Sequence, residues 1–101
     1  MRVAQWTQPA RESYDAFLQH LLEQNKRRAI LARNDLQDAV ALLCRRPQVG
    51  RRSEWPGLKR WSVPEWDKII IFREIPDGVR VVAFYDARQD LTVVDPTLND
   101  F

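Results

Sequence analysis

From Ala10 the apolar residues recur at Tyr14, Phe17, Leu18, Leu21 and Leu22, with offsets of four, three, one, three and one. That spacing lays them on one face of a helix. The run from Val3 to Thr7, which contains Trp6, reads as a short strand ahead of it. Thr7 and Pro9 suit the helix start, the threonine as a side-chain cap and the proline through its preset φ. The helix is expected to end near Gln24 and Asn25, where asparagine suits either a C-terminal left-handed residue or the next N-cap. A second helix then carries Ala29, Ala32, Leu36, Ala39, Val40 and Leu43 on one face and stops before Pro47. The two form an antiparallel hairpin.

Pro47, Gly50, Pro56, Gly57 and Pro64 punctuate the next stretch, which reads as an irregular connection pinned to the core by Trp55, Trp61 and Trp66. Lys68 to Ile75 and Val79 to Tyr85 are rich in β-branched and aromatic residues. They flank Pro76-Asp77-Gly78, the chemistry of a tight hairpin turn. In the first strand Ile69, Ile71 and Arg73 share one face, and Ile70, Phe72 and Glu74 the other. Strict alternation in the second strand groups Arg80, Val82 and Phe84 against Val79, Val81, Ala83 and Tyr85. Both sheet faces are thus largely apolar, and a helix pair covers only one. The other is expected either to be covered by the tail from Leu91 to Phe101 or to await a partner. In that tail Leu98 and Phe101 are the docking candidates.

The 101 residues make one domain, 1–101, with 91–101 as its tail. With 45% hydrophobic and 30% charged residues, the balance is that of a soluble globular chain. No apolar run approaches the ~20 residues of a membrane span. The first residues lack the apolar core of a secretory signal, so a cytoplasmic address is expected. One cysteine, Cys44, and one histidine, His20, allow neither an intramolecular disulfide nor a standard zinc site, and no metal or cofactor is expected. The net charge of +2 conceals an asymmetry: residues 26–60 hold ten basic side chains against three acids, a local +7, and the rest carries −5. Such a patch attracts nucleic acid or an acidic protein segment.

Several segments resemble the RelE/ParE superfamily of toxins from bacterial type II toxin–antitoxin systems. Trp6-Thr7 and Ala10 resemble its opening strand-to-helix segment, and Pro47-Gln48-Val49-Gly50-Arg51 its Pro-x-x-Gly-Arg turn. Gly57-Leu58-Lys59-Arg60-Trp61-Ser62-Val63 and Ile69-Ile70-Ile71-Phe72-Arg73 look like two of its strands. Tyr85-Asp86-Ala87-Arg88-Gln89-Asp90 keeps the spacing of its closing strand, with Asp86 at the usual histidine position and Gln89 at an arginine position. The match spans roughly residues 3 to 90 and is closer to the ParE, plasmid-stabilisation branch. The resemblance implies an α+β fold of β-α-α-β-β-β order, a two-helix hairpin packed on a small, mainly antiparallel sheet. It also implies a cognate antitoxin as partner.

Two chemistries follow from the resemblance. RelE-like members cut messenger RNA on the ribosome, which needs an acid or base and cations for the phosphate. Here the candidates are Tyr85, Arg73, Arg88, Lys59 and Arg60, with Tyr85 requiring a pKa lowered by Arg73 and Arg88. His20 lies off the apolar helix face and reads as solvated, and Cys44 as packing. ParE-like members inhibit DNA gyrase by binding, and the poor supply of acid and base groups agrees better with that branch. Arg27, Arg51, Arg52, Arg60, Arg73 and Arg88 are then the candidate contacts to antitoxin or target. The reading adopted is a gyrase-binding toxin, not an enzyme. The alternatives are a ribosome-dependent endoribonuclease and a basic nucleic-acid-binding module without toxin activity.

Overall fold

Thr7 governs how the chain passes from its first strand into its first helix. Its backbone is extended and its N–H donates to the Val81 carbonyl at 3.0 Å, while its side chain accepts from the Ala10 N–H at 3.3 Å. One residue therefore ends the strand β1 (Val3–Trp6) and caps the helix α1 (Gln8–Gln24). Asn25 does the same at the other end. Its N–H donates to the Leu21 carbonyl at 2.7 Å and its side chain accepts from the Arg28 N–H at 3.2 Å, so α2 (Lys26–Arg45) follows after a single residue. The structure, a computed structural model, describes residues 3–89 and 95–99.

After one 3₁₀ turn at Pro47–Val49 come β2 (Arg51–Arg52) and β3 (Lys59–Val63), then a second 3₁₀ turn, β4 (Lys68–Ile75) and β5 (Gly78–Asp86). The five strands lie in the order β1-β5-β4-β3-β2. β1 is parallel to β5 and the other pairs are antiparallel. The α+β architecture and helical hairpin match the expectation. The stretch from Pro47 to Pro64 corrects it: this is not wholly irregular, because Lys59–Val63 pairs along its length with Lys68–Phe72. Pro64 and Pro56 bound the segment instead of interrupting it.

The second strand of the hairpin departs from simple alternation. Ile71 lies opposite Ala83 and Phe72 opposite Val81, which leaves Val82 as an extra residue. A bulge of one residue reverses which way every later side chain points. Val79, Val81 and Phe84 therefore share the helix side with Ile70, Phe72, Tyr14, Leu36 and Leu43. Val82 and Ala83 join Ile69, Ile71 and Leu58 on the opposite side, with Tyr85 and Trp55 packed against them. Phe84 is thus on the face opposite to the one its spacing from Arg80 predicts.

This second face is buried, not surplus. Ile69, Ile71, Val82 and Ala83 are all at most 3% exposed. Leu58 and Trp55 close over it from the β2–β3 connection, where the Ser53 hydroxyl lies 2.6 Å from the Leu58 carbonyl and accepts from the Trp55 N–H at 3.1 Å. The turn Pro96–Asn99 lies against β5 and α1, with Pro96 fully buried. Leu98, expected to dock, is 65% exposed. Phe101, Asp90 and the remainder of the tail lie outside the described residues. Trp61 and Trp66 do pack against the main core, as their spacing suggests.

Candidate partner groove and basic sheet corner

The core stripe of α2 leaves a second, parallel stripe on its flank: Ile30, Arg33, Gln37 and Ala41, spaced three, four and four. Residues at this spacing stack along one side of a helix. Against them stand Leu18 and Leu22 of α1, and the channel between the helices continues to Trp6 of β1. Two cavities of about 510 and 490 Å³ meet here, both lined by Asp15, Leu18 and Arg33. Leu22 and Ile30 are 47% and 42% exposed beside the upper one. The lower one has Tyr14, Val40 and Cys44 in its floor.

Its charge is mainly positive, with Asp15 the one acid among the lining residues. Arg11 pairs with Asp15 at 3.3 Å and stands over the Trp6 and Tyr14 rings, 5.9 and 5.6 Å from their centroids. Arg33 and Arg45 line the same cavity and make no ion pair with a described residue. Burial pushes the Tyr14 phenol above its ordinary pKa, against the opposing pull of Arg11 and Arg33. An apolar floor with a cationic rim, long enough for several helical turns, suits an amphipathic segment carrying acids. Arg11, Arg33 and Arg45, which line this groove, are not among the contacts expected from the sequence. The legible signal was the flanking stripe of α2.

The predicted site residues fall into separate places. Arg51 lies opposite Arg60, and Arg52 opposite Lys59, at the β2–β3 edge. Arg60 pairs with Glu54 at 2.9 Å, and the Lys59 ammonium lies 3.5 Å from the Pro47 carbonyl. Arg73 faces Arg80 across the hairpin, and Arg80 reaches Gln5 at 3.4 Å. Arg27 is exposed in the first turn of α2. Arg88 lies beyond the other end of β5, gripping Asp86 through two N–H donors at 3.1 and 2.9 Å. Asp86 is opposite Lys68, five residues along β4 from Arg73, or about 17 Å at strand rise.

The proposed nucleolytic set is therefore not assembled. Lys59 projects to the helix side of the sheet and Arg60 to the other, while Arg88 is held at the far end. Tyr85 needed a lowered pKa. Instead, burial and the nearby Asp95 carboxylate raise it. His20 is exposed and contacts Gln24 on its own helix, as a solvated residue would.

One cluster was not anticipated. The Lys68 ammonium sits 4.5 Å from the Phe17 ring centroid and 5.6 Å from that of Phe84, with Asp86 at 3.9 Å. Burial lowers the Lys68 pKa, partly offset by Asp86. This cation fastens α1 to the sheet through its ring contacts. Asp86 serves as its anchor and as the partner of Arg88.

Comparison with known proteins bears on these features. A family model described as "ParE toxin of type II toxin-antitoxin system, parDE" matches residues 4–91. A solved structure described as "Chromosomal ParDE TA system from P. aeruginosa" superposes with a TM-score of 0.72 at 24% identity, covering 85% of this chain and 96% of that chain. No curated protein matches the chain.

Proposed function

The chain belongs to the ParE toxin family of type II toxin–antitoxin systems, and we propose that it acts by binding DNA gyrase and is silenced by a cognate antitoxin seated in the α1–α2 groove. The observation that carries the binding mode is the dispersal of Lys59, Arg60, Arg73, Arg88 and Tyr85, together with the raised Tyr85 pKa. A phosphodiester-cleaving site needs a proton-transfer group poised beside its cations. A binding inhibitor needs neither.

The groove supports the antitoxin part. Its apolar floor of Tyr14, Leu18 and Val40 fits one face of an amphipathic helix, and Arg33 and Arg45 fit acids flanking that face. Arg27, near the upper end of the hairpin, extends the same positive field. Among the described residues no helix is long and apolar enough to cross a membrane. Gyrase and antitoxin are both cytoplasmic partners, and the toxin works there with them.

Supercoiling by purified gyrase, with and without the protein, tests the target. Inhibition or trapped DNA breaks at near-stoichiometric toxin is the expected result. Intact supercoiling, together with toxin-dependent messenger cleavage on ribosomes, would sink the gyrase reading in favour of the nuclease.

A further inference from the structure

The corner where β2 joins β3 holds two like-charged pairs directly across from one another, Arg51 with Arg60 and Arg52 with Lys59. Like charges in such register oppose sheet pairing. Among the described residues a single carboxylate, Glu54 on Arg60, answers them, and Arg51 and Arg52 are exposed with no ion pair to a described residue. Side by side with them is a cavity of about 580 Å³ lined by Arg51, Arg52, Arg60, Trp61, Ser62 and Pro64. β2 pairs only with Lys59 and Arg60, so among the described residues the outer edge of Trp61 to Val63 has no strand partner. Trp61, Ser62 and Pro64 form a wall shared with a neighbouring cavity, whose other side carries the acids Asp35, Asp38 and Glu65. These acids confine an anion to the arginine side.

The geometry points to this corner as a binding site for the phosphodiester backbone of nucleic acid, distinct from the antitoxin groove and independent of which target the toxin inhibits. Guanidinium forks match the paired oxygens of a phosphate, and three of them around one cavity grip a chain of phosphates better than an isolated carboxylate. The Ser62 hydroxyl adds a neutral donor. Trp61, partly buried against the main core, also lines this cavity and offers an aromatic side chain for stacking on a base, which favours a single strand over a duplex. The bound polyanion would also relieve the repulsion built into the two cross-strand pairs.

Fluorescence anisotropy of the full chain against labelled oligonucleotides decides it, with single-stranded DNA, single-stranded RNA of the same sequence and duplex DNA as separate arms. Binding should weaken with salt along a log–log slope of about −2, the value for three phosphates on a single strand. Arg51→Ala/Arg52→Ala should lose about tenfold or more in affinity, whereas Lys26→Ala/Arg27→Ala, which removes the same charge at the hairpin tip, should lose less than about twofold. Both variants keep exposed backbone positions unchanged and should melt within a few degrees of the parent. Equal losses in the two variants would mean diffuse charge attraction and would overturn the site. So would absence of binding in all three arms, or displacement by polyglutamate as effective as by oligonucleotide, which would assign the corner to an acidic protein segment.

Discussion

The Thr7 hydroxyl donates to the Val82 carbonyl at 2.8 Å across 75 positions of sequence. Val82 is the bulged residue of β5, so its carbonyl lies where the β4–β5 ladder is broken. Thr7 is 3% exposed, and water has little access to satisfy that oxygen in its place. The same side chain caps α1 through the Ala10 N–H. The start of the helix and the irregularity of the sheet are thus locked together. Replacing Thr7 with Val, which keeps the shape, should lower stability by about 1–3 kcal/mol, and Thr7→Ser should recover most of it. Urea unfolding followed by circular dichroism reads both, and a Thr7→Val cost below about 0.5 kcal/mol would show the bond to be dispensable.

Gly78 opens β5 directly beside β1, where an added Cβ would collide with the Val3 carbonyl oxygen. Backbone cannot yield as the tip of a flexible side chain does. Gly78→Ala should therefore cost more than about 3 kcal/mol or force β1 from the sheet. Loss of amide-exchange protection confined to residues 3–6 would be the signature of the second outcome.

Ala41 lies exposed on α2 along the groove, clear of the core. Ala41→Glu adds bulk and negative charge opposite an acidic partner while keeping a good helix former. We expect unchanged folding and retained toxicity, with antitoxin affinity reduced at least about tenfold, since a buried like-charge contact costs more than 1.4 kcal/mol. Calorimetric titration showing parental affinity would place the antitoxin elsewhere.

Asp86 accepts from the Arg88 side chain and from the Arg88 N–H at 2.9 Å, and these bonds hold its carboxyl well below the usual aspartate range. A depressed folded pKa contributes stability that is present above the unfolded value and is lost as pH falls through the folded one. This group should therefore cost the protein nothing between neutrality and about pH 5, and should weaken the turn after β5 only in stronger acid. Carbon-detected NMR titration should show Asp86 still ionised where ordinary aspartates have protonated. Arg88→Ala should return its midpoint towards theirs.

Both tyrosines of the chain, Tyr14 and Tyr85, have pKa values raised first by burial. Their neutral forms are favoured by the fold, so their contribution persists below the ordinary phenol pKa of about 10 and fades as pH climbs through the raised values. Phenolate absorbance should appear later in the folded protein than in urea. Tyr85→Phe should leave toxicity intact, whereas a severe loss without unfolding would restore Tyr85 as a proton-transfer group.

Local chemistry was enough to place the elements. The period of Tyr14, Phe17, Leu18 and Leu21 marked α1, Asn25 marked the turn between helices, and Pro76-Asp77-Gly78 marked the hairpin. In each case one helical face, one cap or one turn residue carries the information within a few positions. The segment resemblance reached further, to β3 and to the family itself. Composition placed the excess of positive charge but not its partners.

Tertiary structure alone decided the rest. The bulge at Val82, whose carbonyl accepts from the Thr7 hydroxyl far away in sequence, turned the facing of Ala83, Phe84 and Tyr85. The burial of the second sheet face depends on Trp55 and Leu58 folding back over Ile69 and Ile71, an arrangement no period reveals. Arg11 joins Arg33 and Arg45 only because the hairpin brings α1 against α2 beside β1. Arg73 and Arg88, which lie 15 residues apart, are carried to opposite ends of a hairpin. Periodicity reports the surface each element must bury; which surfaces meet, and which charges are left facing solvent, is set by contacts between distant residues.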